Sequence, residues 1–410
     1  MARQAEATAG RAAGRWTILA LLSLSSFAVF YNNLVVGPLL VELSQSLGVS
    51  VGQAGQLVAV YALPSAFVAL LSGPILDRYG RRRVLVASTG LVAMATAGCA
   101  LAADFPTMLA CRLLAGIGGA CIWPATLAAA GDLFTYRERA GAIGWIMSAS
   151  MLAPTVGVPA GTLVAEFLGW RAAFGVVAGL LLAADLALLA RLPSSGVARS
   201  SAGFYLVGYR EVLGHRDAVG MVSFGLVSHV FWHGFLTYAG TFYQSTYDLS
   251  VGQLAPILSA VGFAVMLGNL VGGRAADRFG GKRVTVVCLL AVAASLFVQL
   301  SAPLPLLAAV ALHLAWSIPN GARGPGANAL LTEVFPERRG TVVALNSAAS
   351  SLGTLLGASL GGVVVGTGGS FAGLGALCSA FAVASASVLH VLVAEARGER
   401  PSRVSSPPRG

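Results

Sequence analysis

The chain has 410 residues, of which 56% are hydrophobic and 10% are charged, whereas about 25% are charged in a typical soluble protein. So few charges cannot cover the surface of a soluble protein of this length. The five cysteines lie inside apolar runs, which argues against a secreted disulfide scaffold. The composition therefore predicts an integral membrane protein rather than a soluble enzyme.

Apolar segments long enough to cross a bilayer recur along the whole chain. A bilayer core about 30 Å thick requires roughly 20 apolar residues per helix. The segments predicted to span are 16–43, 52–76, 83–103, 105–131, 140–167, 171–190, 218–245, 252–275, 284–301, 304–332, 341–366 and 371–395. The first leads directly into further spans and lacks the small-x-small cleavage site of a signal peptide, so we predict that it is retained.

The placement of the basic residues predicts the orientation of the chain. The net charge of +10 comes from residues at short intervals between apolar segments, not from one patch that would indicate nucleic-acid binding. With both termini cytosolic, 23 of the 26 Lys and Arg fall in cytosolic segments, as the positive-inside rule requires. We expect disordered cytosolic tails at 1–15 and 397–410, a cytosolic linker at 192–216, and a location in the cell membrane.

The two halves of the sequence are similar at an offset of 200 residues. The tetrapeptide Ser-Val-Gly-Gln at 50–53 recurs at 250–253. Other positions with counterparts 200 residues later are Gly73, Asp77, Arg78, Gly80, Arg83, Gly157 and Gly161. We therefore predict an all-α membrane fold of 12 transmembrane helices. Two six-helix bundles, 16–191 and 217–396, would form a parallel repeat around a central cavity, as in many secondary transporters.

The repeated positions also have local structural explanations. Ser-x-x-Gln at the start of an apolar run is a capping box, which satisfies free backbone N–H groups at a helix start. Gly80 and Gly280 suit the residue that ends a helix. Small residues one turn apart allow close helix packing. The glycines assigned to this packing role are Gly157, Gly161, Gly357 and Gly361.

Residues 73–83 read Gly-Pro-Ile-Leu-Asp-Arg-Tyr-Gly-Arg-Arg-Arg, and 273–283 are a weaker copy of this string. It resembles Gly-x-x-x-Asp-Arg-x-Gly-Arg-Arg, the signature loop of the major facilitator superfamily. Arg112 and the glycines after it resemble a second signature, and 169–174 resemble a run common in bacterial drug:proton antiporters. The antiporter motif of helix 5 is only partly present. Its string Gly-Val-Pro-Ala-Gly-Thr at 157–162 is similar to the branch containing amphenicol, sugar and purine exporters.

The resemblance implies that Asp77 latches the two halves together on the cytosolic side in one of two conformations. A carboxylate at the C-terminal end of a helix is opposed by the helix dipole, so it needs a cationic or N-terminal partner. The alternative for the arginines of the loop is that they only determine topology. The residues assigned to the latch are Gly73, Asp77, Arg78, Gly80, Arg81, Arg82, Asp277 and Arg278.

Titratable and charged residues inside predicted spans are the candidates for proton coupling, because such groups are costly in a membrane. The resemblance assigns this role to Arg112; static pairing with a backbone carbonyl is the alternative. His229 and His233 lie one turn apart on one helix face, and histidine titrates near neutral pH. Either histidine could instead be a buried structural residue. Asp185 is the most embedded carboxylate. We predict no metal site and no cofactor.

The resemblance implies that helices 1, 4, 7 and 10 surround the substrate cavity. Polar and aromatic residues on these helices are its predicted lining: Asn32, Asn33, Trp123, Trp232, Tyr238, Trp316, Asn320 and Arg323. The aromatic rings could stack on a planar substrate or simply pack. Because the lining contains little acid, it favours neutral, zwitterionic or anionic substrates.

These observations predict a secondary active transporter that exports a small organic molecule, such as a drug, antibiotic or metabolite, by proton-coupled antiport and alternating access. An uptake symporter or a uniporter on the same scaffold is the alternative, and a sensor without flux, a flippase or a membrane enzyme are further ones. No ATP-binding Gly-x4-Gly-Lys motif is present in the sequence. The expected partners are the substrate, protons and the lipid bilayer, with a monomeric chain and no nucleic acid.

Overall fold

The computed structural model describes residues 2–193, 202–366 and 370–394, which are helical apart from short turns. Eleven segments of this described part are long and apolar enough to cross a membrane. A further helix of 28 residues covers the predicted span at 304–332. It carries Asn320, Arg323 and Asn328 among its apolar residues, which lowers its hydropathy, and it is not one of the eleven.

The first half of the chain contains nine helices in its described residues. They are α1 (Ala2–Leu34), α2 (Leu40–Leu47), α3 (Val51–Ala54), α4 (Gln56–Tyr79), α5 (Arg81–Leu101), α6 (Phe105–Leu133), α7 (Tyr136–Leu152), α8 (Val158–Leu168) and α9 (Trp170–Arg191). A π-helical turn, Ala153–Gly157, joins α7 to α8. Pro154 lacks the N–H group that a regular helix would use there, which explains the local change of hydrogen-bond pattern.

The second half contains seven helices in its described residues. Its helices are α10 (Ala202–Leu213), α11 (Arg216–Tyr247), α12 (Leu254–Phe279), α13 (Gly281–Ser301), α14 (Leu306–Glu333), α15 (Arg339–Gly366) and α16 (Phe371–Leu392). In the first half α6 packs against α4 and α5, and α9 packs against α1 and α5. In the second half α14 packs against α12 and α13, and α16 packs against α11 and α13.

Local sequence signals explain several helix ends. Ser50 Oγ accepts from the Gln53 N–H (3.2 Å), and Gln53 Oε1 accepts from the Ser50 N–H (2.9 Å). The same reciprocal pair is present at Ser250 and Gln253, one turn before α12 begins. Gly80 and Gly280 end α4 and α12 with φ of 79° and 89°, a backbone region that favours glycine. Both capping boxes and both glycine stops are therefore where the sequence predicts them.

The structure adds helices to two segments outside the predicted spans, and one of them corrects a prediction. The N-terminal tail is helical rather than disordered, because α1 begins at Ala2 and continues into the first span. The linker at 192–216 contains helix α10. Residues 194–201 of the linker and the tail at 397–410 lie outside the described residues.

The helix bundle has two sides, which we call the terminal side and the distal side. The terminal side is where α1 begins and α16 ends, and the distal side is where α1 ends and α16 begins. On the terminal side, Arg15 forms an ion pair with Glu138 (2.7 Å), and Lys282 Nζ donates to the Val393 carbonyl (2.6 Å). On the distal side, Arg171 donates to the Ala102 carbonyl (3.1 Å).

Four glycines lie where neighbouring helices approach closely. Gly157 contacts Phe27 of α1, and Gly161 leaves room for the ring and hydroxyl of Tyr31 on the same helix. Gly361 faces the Tyr238 ring of α11. A Cβ atom on Gly357 would overlap the backbone carbonyl of Val230 on α11, so a larger residue would push α11 and α15 apart.

Candidate functional site

A cavity of about 650 Å³ lies between the two halves and reaches the terminal side. The first half contributes α1, α4 and α6, and the second half contributes α15. At the terminal side the walls are Gly73 and Leu76 on α4 and residues 337–341 before and at the start of α15. The position between halves and the size suit a small organic ligand.

The deep part of the cavity is apolar with a few neutral polar groups. Phe30 and Trp123 form an edge-to-face pair with centroids 5.7 Å apart. Asn33 lies beside them, and its Oδ1 has no hydrogen-bond partner. The charged residues of the lining are Glu337, Arg338 and Arg339, which lie at the terminal mouth. The deep part therefore offers aromatic faces and a free amide oxygen, and its described lining residues carry no charge.

The structure places only part of the predicted lining at this cavity. Asn33 and Trp123 line it, but Trp232, Tyr238, Trp316, Asn320 and Arg323 are not among its lining residues. The walls come instead from the second and eleventh predicted spans, α4 and α15, together with α1 and α6.

Two of the aromatic residues that do not line the cavity form hydrogen bonds with neighbouring helices. The Tyr238 hydroxyl donates to the Ala358 carbonyl (2.8 Å), which holds this ring between α11 and α15. The Trp316 indole N–H donates to Gln299 Oε1 (2.6 Å), which turns this side chain toward α13. Both side chains therefore hold helices together away from the cavity.

A buried polar network around Trp316 was not anticipated from the sequence. The Tyr243 hydroxyl lies 2.9 Å from His313 Nδ1 and accepts from Gln299 Nε2 (3.2 Å). The His313 ring stacks on Trp316 with centroids 4.8 Å apart. The sequence does contain a signal, because His313 and Gln299 lie inside predicted spans, where polar side chains commonly form hydrogen bonds with one another. This network ties α11, α13 and α14 together near the distal side.

Arg112 is fully buried between α1, α4 and α6. Its Nη1 donates to the Asn32 carbonyl (3.0 Å), and its Nε donates to the Leu57 carbonyl (3.3 Å). The guanidinium carbon lies 4.7 Å from the centre of the Tyr61 ring, a cation–π contact. Asn32 therefore contacts Arg112 and does not line the cavity. Arg112 itself is paired with backbone carbonyls.

His229 and His233 form a stacked pair on α11, with centroids 5.9 Å apart and planes 17° apart. His229 Nδ1 lies 2.8 Å from the Gly225 carbonyl, which can only accept, so this nitrogen carries the hydrogen. Arg323 on α14 lies within electrostatic reach of His229. The Nε atom of Arg323 donates to Asn320 Oδ1 (2.9 Å). The structure therefore brings four predicted residues together in one polar cluster: His229, His233, Asn320 and Arg323.

Asp185 lies on α9 with 9% of its surface exposed. Its Oδ1 is buried without a hydrogen-bond partner. The carboxyl group faces Gly90 on α5, where an added Cβ atom would come within 3.0 Å of Oδ2. This position is apart from the cavity lining and from the histidine pair.

The signature loop makes contacts within the first half. Arg81 pairs with Asp132 at the end of α6 (2.9 Å), and Arg82 donates to the Leu189 carbonyl on α9 (2.6 Å). Asp77 is half-buried on the last turn of α4. Arg78, Asp277 and Arg278 are exposed, and both arginines lie on the ring of the following residue.

The linker helix α10 contacts both halves at the mouth of the cavity. The Tyr209 hydroxyl donates to the Leu70 carbonyl of α4 (2.6 Å), and Glu211 pairs with Arg338 (2.6 Å). Burial raises the pKa of the Tyr209 hydroxyl. The linker therefore forms part of the cavity wall.

Contacts between the two halves close the distal side. They are Gln244 Nε2 to Glu42 Oε1 (2.7 Å), Ser359 Oγ to Gln56 Oε1 (3.1 Å) and the Gly252 N–H to Glu166 Oε2 (3.0 Å). Gly52 also packs against the backbone of Gly362. The cavity is thus open at the terminal side and closed at the distal side.

Among the described residues, no group of three or more His, Cys, Asp or Glu side chains is placed to hold a metal ion.

The chain is similar to known transporters along most of its length. It is 26% identical over 338 residues to the uncharacterized MFS-type transporter YceJ of Bacillus subtilis, which covers 82% of this chain and 86% of the relative. It is 29% identical over 202 residues to the chloramphenicol resistance protein CraA of Acinetobacter baumannii, 49% of each chain. The fold matches a crystal structure of a D-xylose–proton symporter with a TM-score of 0.74 and 18% identity, over 93% of this chain and 98% of that one.

The family assignment combines this similarity with the fold. The family model of the Major Facilitator Superfamily matches residues 22–269 and 225–409, which together include all the predicted spans except the start of the first. The helical membrane fold and the cavity between the halves agree with that match. The chain belongs to the major facilitator superfamily, a family of membrane transporters and not of enzymes.

Proposed function

We propose that this transporter exports a small organic molecule in exchange for protons by alternating access. In this proposal the chain is a monomer of 12 transmembrane helices, arranged as two six-helix bundles in a parallel repeat, 16–191 and 217–396. The matching helix pairings of the two halves and the sequence offset of 200 residues support the repeat. The terminal side would face the cytosol of the cell membrane, because basic residues are concentrated in the segments on that side.

The observation that carries the proposal is the asymmetry of the cavity. It opens to the terminal side, while the contacts of Glu42, Gln56 and Glu166 with the second half close the distal side. A transporter needs such a state, in which the substrate enters from one side only. With the terminal side cytosolic, this is the state that loads substrate from the cell.

The cavity chemistry supports a substrate without a strong positive charge. Phe30 and Trp123 offer aromatic faces, and Asn33 offers an unpaired acceptor to a hydroxyl or amide N–H group. Among the described residues that line the deep part, none is a carboxylate that could pair with a cation. Similarity to a protein named for chloramphenicol resistance supports export of a drug or a related metabolite.

Uptake by proton symport is the second candidate, and the same scaffold supports it. The D-xylose–proton symporter shares the fold over almost the whole chain. The antiporter motif of the fifth predicted span, 140–167, is also incomplete in this sequence, at 144–162. The two candidates differ in the direction in which a proton gradient drives substrate.

Vesicles of opposite orientation distinguish the candidates. Everted vesicles with an acidic interior should accumulate substrate from a panel of neutral and anionic drugs, and an uncoupler should abolish the accumulation. Accumulation only in right-side-out vesicles under an inward proton gradient would instead establish symport. Equilibration that ignores the gradient in both preparations would establish a uniporter.

Cysteine labelling tests the proposed orientation. Single cysteines placed at Gly214 in the linker and in the C-terminal tail should react with an impermeant thiol reagent only after the cells are opened. Cysteines at Gly48 and Gly169 on the distal side should react in intact cells. Labelling of position 214 from outside would contradict the orientation.

Asp77→Asn should abolish or strongly reduce flux while membrane abundance stays near normal. The proposed latch needs the carboxylate in the state that closes the terminal side, and the amide removes its charge but keeps its shape. The matched control is Glu333→Gln, which changes an exposed carboxylate at the terminal end of α14, outside the latch, and should retain most flux. Substrate flux per molecule of protein is the measurement. Normal flux in Asp77→Asn would show that the signature loop determines only the topology of the chain and is not a latch.

A further inference from the structure

A carboxyl–amide pair joins the two halves at the distal side. Gln244 Nε2 on α11 donates to Glu42 Oε1 on α2 over 2.7 Å. Gln244 is buried, with 9% of its surface exposed, and Glu42 is half-buried. The pair is therefore part of the contact that separates the cavity from the distal side.

Each partner has a second oxygen without a hydrogen-bond partner. Glu42 Oε2 and Gln244 Oε1 are both buried and unpaired. The Glu42 carboxyl also lies near its own backbone N–H, but Oε2 remains without a hydrogen bond. Buried acceptors without a donor destabilise a structure, and both of these belong to one contact. One additional hydrogen-bond donor, placed between these two oxygens, would satisfy both.

A proton on Glu42 would supply that donor. A neutral carboxylic acid and a primary amide can form two parallel hydrogen bonds in a ring, because each group then has one donor and one acceptor. The bond from Gln244 Nε2 to Glu42 Oε1 is already present, and a proton on Oε2 could donate to Gln244 Oε1. We propose that Glu42 and Gln244 form a proton-binding site that stabilises the closed distal side.

The surroundings of Glu42 contain no competing cation in the described elements that contact α2. The turn at 37–39 and helix α3 carry no charge, and the one Lys or Arg residue of α11, Arg216, lies at its opposite end. Glu166 on α8 is within electrostatic reach of Glu42 and has the same charge. The titratable groups on the distal part of α11 and at its end are Tyr243, Tyr247 and Asp248. A proton is therefore the available partner for Oε2.

This site has a defined consequence for the conformational equilibrium. A proton that binds more tightly when the distal side is closed must favour closure by the same factor. One such proton changes the ratio of closed to open molecules by at most about tenfold per pH unit. The site goes beyond the proposed antiport, because its proton controls closure and remains between the halves, whereas a transported proton must leave on the terminal side. The proposed proton-binding site rests on the proposed function, because it requires the distal side to open during transport.

Distances between spin labels across the distal side test the site. Leu101 on α5 and Leu307 on α14 are more than 80% exposed and lie at the distal ends of helices in different halves. Labels at these positions, in a variant whose native cysteines are replaced, would report opening in lipid nanodiscs without substrate. From pH 8 to pH 5 the population with the short distance should rise severalfold in the parent.

Variants of the pair identify the group responsible. Glu42→Gln supplies the missing N–H donor permanently, so its distal side should be closed at every pH. Gln244→Leu keeps the size but removes both hydrogen bonds, so closure should be weaker and nearly independent of pH. A pH dependence that persists unchanged in both variants would overturn the site.

Glu166 is the matched control, because its carboxylate also joins the two halves but is not part of the pair. Its Oε2 accepts from the Gly252 N–H (3.0 Å). Glu166→Gln should retain the closure at low pH that Glu42 provides. A parent protein that opens at low pH, or shows no change, would refute the proposal even if a variant fails to fold. Loss of transport in the parent would refute the proposed function separately.

Discussion

Arg112→Ala should lose proton-driven transport, and the loss should be among the largest of any single substitution. The side chain joins three helices, since it donates to the backbone carbonyls of Asn32 on α1 and Leu57 on α4 from its own position on α6. Its removal takes these donors from two helix carbonyls, and a hydrogen bond to a charged group contributes about 1.5–3 kcal/mol. It also removes a fixed positive charge from within the first half.

The loss of transport in Arg112→Ala should result from the burial of the arginine and not from the kind of contact that it makes. Arg171 provides the matched control, since it also donates to a carbonyl, that of Ala102, and lies 4.2 Å from an aromatic ring, that of Trp170. Arg171 is exposed, and surface substitutions usually change stability by no more than about 0.5 kcal/mol. Arg171→Ala should therefore transport normally.

Arg112→Lys separates charge from geometry. The ammonium group keeps the charge but is a point donor, so it cannot reproduce the planar fork that reaches two carbonyls. We expect partial stability and little coupled flux. Flux under a proton gradient, substrate exchange without a gradient, and thermal unfolding should be measured together. Exchange without coupling would support the proton-coupling role, whereas full coupled flux in Arg112→Ala would leave only static pairing with the carbonyls.

The sequence predicted the membrane segments well because their signals are local. Ser50 and Gln53 form the expected capping box, and Gly80 ends a helix with positive φ. Apolar run length alone located the segments that the structure shows as long helices. Such features depend on residues within one or two turns of one another, so a single sequence contains them.

The position of each residue around its helix could not be read from the sequence in the same way. Asn32 and Asn33 lie at nearly the same depth, but successive residues of a helix point about 100° apart. Asn32 faces Arg112, and Asn33 faces the cavity. Tyr238 and Trp316 likewise contact neighbouring helices and do not line the cavity. Their partners, Ala358 and Gln299, belong to other helices and become neighbours only through tertiary packing.

The second large effect is expected for the histidine pair on α11. His229→Ala combined with His233→Ala should lose efflux driven by a pH gradient while substrate binding remains measurable. The two rings stack, and His229 uses Nδ1 for the Gly225 carbonyl, so Nε2 is its free proton acceptor. Neither histidine is among the residues that line the cavity, so substrate contacts should survive the change. Binding and coupling are therefore expected to separate in this variant.

The control for the pair is His390→Ala, because His390 is exposed at the end of α16. This variant should keep both efflux and its pH dependence. The single variants His229→Ala and His233→Ala would show whether one ring suffices, since two adjacent rings that carry a charge each would repel one another. Substrate affinity at equilibrium and efflux at several external pH values are the measurements. If the double variant exports substrate with unchanged pH dependence, the histidines are structural. Asp185, whose buried Oδ1 lacks a partner, then becomes the next proton carrier to test by Asp185→Asn.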